Sequence, residues 1–193
     1  LIVPELVTMA RIVERGTKRI QQIVERVIAV RAAQNEPLIP VNLLEILKNT
    51  LELLQEPLAG VEVHIDVDAT WMILARETPL EQIFTNLFVN AAHAMRNTTV
   101  RKLTVSAFSM GAGRVAVEVT DTGNGMSEDV REKIFDPFFT TKDVGEGMGL
   151  GLSIVHELVV RFGGEIEVQS RQGEGTRFRL VFLMADSSWG GST

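Results

Sequence analysis

The stretch RVAVEVTDTGNGM, residues 114–126, decides how this chain folds. The alternating apolar run VAVEV predicts a strand. The strand ends on Asp121, a buried-looking carboxylate, and side-chain bulk then vanishes at Gly123-Asn124-Gly125. Two readings are open. One is an ordinary hairpin turn. The other is a pocket in which Asp121 reads a ligand, for instance an exocyclic amine, while the glycines permit positive φ and close backbone approach.

Working outward, RVAVEVTD reads as a hairpin partner of KLTVSAFSM, with the turn around Gly111 and Gly113. VEVHIDVD alternates strictly, which predicts a strand with Val61, Val63, Ile65 and Val67 on one face. TWMILA reads as a short buried strand, and GEIEVQS with GTRFRLVFLM as a final hairpin. Helices are expected in VNLLEILKNTLELLQEPL, capped by Asn42, and in PLEQIFTNLFVNAAHAM, with Pro79 in its first turn. SEDVREKIF predicts a short helix, and GLSIVHELVVRFGG a helix closed by glycines. This mixed order points to α/β layers over a mixed sheet.

The N-terminal part differs in character. Leu6, Met9, Val13, Gly16, Ile20, Ile23, Val27 and Val30 alternate spacings of three and four, a heptad seam broken at Gly16. One long helix over residues 5–34, packed on partner helices, is expected. EPLIP, residues 36–40, breaks it with two prolines. The expected organisation is a dimerisation helix over 1–35, a linker over 36–40, a folded domain over 41–184 and a disordered tail over 185–193.

The bulk numbers narrow the function. The chain has 193 residues, 45% of them hydrophobic and 23% charged, enough for a real core. A net charge of −6 argues against a dedicated nucleic-acid binder, which needs a basic face. The absence of cysteine excludes disulfides and thiolate metal sites. No apolar run reaches the roughly 20 residues of a membrane span, so no membrane contact is expected. The abrupt start without Met reads as a fragment.

Four stretches carry chemistry. In NLFVN, Asn86 and Asn90 share one helix face, and an amide oxygen there can hold Mg²⁺ beside phosphate. DTGNGM supplies Asp121, Gly123, Gly125 and Met126. IFDPFFTTKDVGEG, residues 134–147, combines aromatic anchors such as Phe135 with a polar stretch able to close over a ligand, including Thr141 and Lys142. GMGLGLSIV leads glycines directly into a helix, whose free N–H groups and positive dipole end suit phosphate. That turn is neither a Walker loop nor a dinucleotide fingerprint, since no Gly-Lys-Ser/Thr follows and no βαβ unit surrounds it.

In order and spacing, these four stretches resemble the N, G1, F and G2 boxes of the GHKL ATP-binding superfamily, and most closely the catalytic domain of two-component sensor histidine kinases. The resemblance covers residues from about 40 to 184. The FDPFFTTK form is similar to the nitrogen-regulator type. The resemblance implies an α/β two-layer sandwich, the Bergerat fold, with helices on one face of a mixed sheet. It implies ATP and Mg²⁺ as ligands. Asn90 would hold the metal, Asn86 would neighbour it in the phosphate site, and Lys142 of the lid over 127–146 would contact phosphate. Asp121 would bind adenine. His93, Gly123, Gly125, Met126, Phe135, Thr141, Gly147, Met148, Gly149, Leu150, Gly151 and Leu152 would complete the nucleotide site. Met148 departs from the family, which has threonine there, and so puts one phosphate contact in doubt.

Hydrolysing relatives carry glutamate where Asn86 sits, and an amide is no general base, so phosphotransfer is favoured over hydrolysis. A sensor kinase also needs an acceptor histidine. His64 is expected on an outer strand face and His156 on a helix surface, and neither carries the family's acceptor motif. His93, one turn beyond Asn90, has two readings open, a helix-surface histidine or one that faces phosphate. The N-terminal helix resembles the second dimerisation helix, so the acceptor would lie on a helix before Leu1. The implied partners are that helix, a response-regulator receiver domain and a second copy of the parent, in the cytoplasm. A GHKL-type ATPase, an anti-sigma-type serine kinase and a scaffold that has lost turnover are the alternatives.

Overall fold

The computed structural model describes residues 37–142 and 148–185, together with Leu6, Val7, Met9, Ala10, Val13, Gly16 and Thr17, which are helical. Leu6, Met9 and Val13 of the expected seam are exposed. The rest of the seam, the loop 143–147 and the tail from 186 lie outside the described residues.

The folded part runs β1 (Ile39–Asn42), α1 (Leu43–Leu53), β2 (Glu62–Asp66), β3 (Met72–Ala75), α2 (Glu77–Ala94), β4 (Lys102–Gly111), β5 (Arg114–Asp121), α3 (Glu128–Arg131), α4 (Gly151–Arg161), β6 (Glu165–Arg171) and β7 (Gly175–Leu183). Five strands form one sheet in the order β2-β4-β5-β7-β6. The β2–β4 pair is parallel and the other pairs are antiparallel, so the sheet is mixed as expected. β1 and β3 form a separate antiparallel pair. The Ile73–Met184 bridge and the Ala185 N–H donating to the Met72 carbonyl at 2.9 Å tie that pair to the end of β7.

The core lies between the sheet and α1, α2 and α4. α2 turns Leu80, Ile83, Phe84, Leu87 and Phe88 inward, and these side chains are buried. They meet Leu103 and Val105 of β4 and the Val115, Val117, Val119 row of β5 in one core. That row continues at period two to Asp121, so the pleat itself turns the carboxylate toward the helical layer. The opposite face of β5 carries Glu118, whose carboxylate pairs with Arg179 at 2.8 Å and Arg177 at 3.7 Å.

Several local expectations hold. The Asn42 side chain caps α1, accepting from the Glu45 N–H at 3.1 Å. Pro79 sits in the first turn of α2. Gly163, at φ +69°, follows α4. Three details differ. The stretch read as a linker already enters β1 at Ile39, and Pro40 is tolerated there because the two-stranded ribbon leaves an edge for it. β2 is an edge strand and mostly exposed, so its alternation marks a rim, with Ile65 half-buried and Val63 exposed. The helix expected in SEDVREKIF is α-helical over four residues and continues as turns.

Candidate functional site

One cavity of about 810 Å³ opens between α2, the end of β5, the loop after α3 and the start of α4. Asp121 lines it as a buried polar wall, at 6% exposure. Burial pushes its carboxyl up to about 6, against the opposing pull of the Gly123 and Thr176 backbone N–H groups. The Gly123 N–H donates to Asp121 Oδ1 at 2.8 Å. The loop beyond is pinned on both sides. The Asn124 N–H donates to the Ala94 carbonyl at 3.1 Å, and the Met126 N–H to Ser170 Oγ at 2.9 Å. Gly125 has φ +62°, and a Cβ there would run into the Arg171 carbonyl. The turn reading therefore fails: this loop packs between α2 and the β6–β7 hairpin and holds its carboxylate toward the cavity.

α2 lays a polar stripe along the same cavity. Asn86, Asn90 and His93 all line it. Asn86 packs against Gly151 at the start of α4, where a Cβ would lie 3.4 Å from Asn86 Oδ1. Asn86 Nδ2 is buried and has no hydrogen-bond partner among the described residues. An unmet donor costs about 1–3 kcal/mol, which a ligand acceptor would recover. Asn90 Oδ1 accepts from Lys142 Nζ at 3.2 Å, and Lys142 Nζ also lies 2.7 Å from His93 Nδ1.

The loop's two ends are stitched together. The Phe138 N–H donates to the Gly149 carbonyl at 2.9 Å. Phe138 itself has φ +69°, a left-handed conformation that a bulky side chain avoids elsewhere. Gly149, at φ +66°, leaves no room for a Cβ because the Phe139 carbonyl occupies that space. Met126, Thr141, Met148, Leu150, Gly151 and Leu152 also line the cavity.

Two expected residues stand elsewhere. Gly123 backs Asp121 against Ala94 and is not a wall. Phe135 packs on His156, ring centroids 5.3 Å apart, outside the cavity lining. Gly147 lies outside the described residues. His64 and His156 are exposed, as read. Sequence reasoning missed Gln82, Asn97 and Thr176, among others. Gln82 extends the α2 stripe by one turn toward its start, so the spacing held that signal, whereas Asn97 lies in the turn after the helix ends at Ala94. Thr176 carried none, because only the strand register sets it beside Asp121.

Among the described residues no group of three or more His, Cys, Asp or Glu could hold a metal alone. The donor set nevertheless fits Mg²⁺ arriving with phosphate, since that ion needs one or two protein oxygens and takes the rest from phosphates and water.

Residues 75–186 match the model of the family described as histidine kinase-, DNA gyrase B-, and HSP90-like ATPase. The chain belongs to that family. Its members similar to this chain include the sensor histidine kinase ZraS of Salmonella typhi, 33% identical over 176 residues, covering 89% of this chain. The chain spans 37% of that relative's length. Among solved structures, full-length ShkA in complex with AMPPNP aligns with TM-score 0.73 and 28% identity over 97% of this chain and 40% of its own. The catalytic domain of histidine kinase ThkA aligns with TM-score 0.67 and 28% identity over 77% of this chain and 96% of its own. The family's mixed sheet with its helical layer is thus the fold observed. No helix among the described residues is long and apolar enough to cross a membrane.

Proposed function

We propose that this chain is the ATP-binding catalytic core of a two-component sensor histidine kinase. The observation that carries the reading is one cavity with a buried carboxylate at one end and a row of amides running away from it along α2. Asp121 accepts the adenine amine. Asn86 Nδ2 donates to a phosphate oxygen, and Lys142 brings positive charge to the same phosphates. The N-terminal end of α4 adds free N–H groups and a favourable dipole. Asn90 Oδ1 would hold Mg²⁺, which neutralises charge on the phosphates.

Transfer then needs positioning more than covalent chemistry. An acceptor imidazole nitrogen attacks the γ-phosphorus in line, the N–P bond forms, the bond to the β–γ bridging oxygen breaks, and ADP leaves with that electron pair. The imidazole loses its proton. The acceptor lies on a helix outside this chain, and residues 1–35 supply the second helix of the same dimerising hairpin, joined through the proline break to the catalytic domain that opens with β1 at Ile39. The phosphoryl group passes on to a response-regulator aspartate, and we infer a cytoplasmic site of action, where ATP and receiver domains meet. FDPFFTTK supports a nitrogen-regulator-like subgroup.

The test is to incubate the chain with Mg-ATP labelled at the γ-phosphate. Bound nucleotide, no acid-labile label on the protein and little free phosphate are expected. Abundant free phosphate would favour an ATPase, label on the chain would place an acceptor among its own histidines, and absence of binding would overturn the site.

A further inference from the structure

Asn90 and His93 stand three residues apart on one face of α2. The Lys142 ammonium reaches both, 3.2 Å from Asn90 Oδ1 and 2.7 Å from His93 Nδ1. An ammonium donates and cannot accept, so His93 Nδ1 offers its lone pair and the ring proton sits on Nε2. Lysine has a long, flexible stem with much rotamer freedom to lose. A cation on such a stem is a better phosphate ligand when a helix already holds it in place.

We propose that His93 is the positioning residue for Lys142. Its Nδ1 stations the ammonium on the rigid helix α2, inside the cavity, before nucleotide arrives. The inference rests on the nucleotide-site reading above. The second acceptor, Asn90 Oδ1, is the oxygen that Mg²⁺ would claim. Two cations would repel at one oxygen, so a metal held by Asn90 would weaken that hold on Lys142, while His93 would still offer its lone pair. Phosphate then meets a cation already in place. This differs from a direct His93–phosphate contact, because here His93 acts through Lys142.

A double-mutant cycle separates the two. ATP affinity is measured by calorimetry, with Mg²⁺ and with chelator, for the unaltered protein, His93→Phe, Lys142→Met and the double variant, with circular dichroism to verify folding. Each single change is expected to weaken binding about tenfold, the worth of one charge-assisted hydrogen bond. The double variant is expected to bind no more weakly than Lys142→Met. His93→Gln, which keeps an acceptor oxygen, is expected to recover most of the loss. Additive losses near a hundredfold would mean His93 acts independently of Lys142 and would overturn the proposal, as would no effect of His93→Phe. If the unaltered protein fails to bind ATP, the nucleotide-site reading falls first and this inference with it.

Discussion

Asp121 gives the protein two pH dependences of opposite sign. Its folded-state carboxyl is raised to about 6 from 3.8, chiefly by burial. Between those values the native state holds a proton that the unfolded state has released. Stability from this group is therefore present at low pH and is lost as pH rises through about 6, by at most about 3 kcal/mol. In the proposed adenine role the carboxylate must be ionised, so recognition would run the other way and weaken as pH falls through about 6. The expected outcome for Asp121→Asn is a 10- to 100-fold loss of ATP affinity, from a lost charged hydrogen bond of about 1.5–3 kcal/mol. Relative to the unaltered protein, the variant should gain stability above pH 6, and its affinity should no longer fall between pH 7 and 5. Denaturant titrations and calorimetry across pH 5–8 check both slopes. If Asn90 holds the metal as proposed, Asn90→Ala is expected to weaken binding of Mg-ATP more than of metal-free ATP. Equal losses in both conditions would count against Asn90 as a metal ligand.

At the scale of elements, glycine placement and capping make the sharper predictions. Gly149→Ala puts a Cβ against the Phe139 carbonyl in a left-handed conformation. A stability loss of at least about 1–3 kcal/mol is expected, together with weaker nucleotide binding, because the loop's two ends are stitched at that point. Asn42→Ala removes the α1 cap, along with the Asn42 Nδ2 bond to the Ala69 carbonyl at 2.9 Å. About 1 kcal/mol should be lost with ATP affinity unchanged, which a shift in denaturation midpoint would show. The helices were legible because caps, Pro79 and terminal glycines leave local marks. The end of the break at Ile39 was not, since β1 exists by pairing with β3, where Ile39 lies opposite Ala75. Edge exposure of β2 was equally hidden, because alternation records that one face differs from the other and not how much of either is covered.

For the whole molecule, every cavity wall falls between Gln82 and Phe178. A chain beginning at residue 37 is therefore expected to keep its nucleotide affinity, measured by calorimetry. Phe88→Ala, at the centre of the shared core, should cost about 3–5 kcal/mol in denaturant unfolding. The four stretches with their order, the strand ending on Asp121 and the Asn86–Asn90 spacing were all determined by the sequence itself, since each is a local pattern of period two, four or a glycine turn. Tertiary structure alone decided that Asp121, Asn124, Gly125 and Met126 of DTGNGM line a cavity, that Thr176 lies opposite Asp121, that Phe135 turns away to His156, and that Lys142 reaches back 49 residues to His93. Those are contacts between distant segments, set by strand register and helix packing, and residues far apart along a chain carry no local trace of which neighbour the fold will bring them.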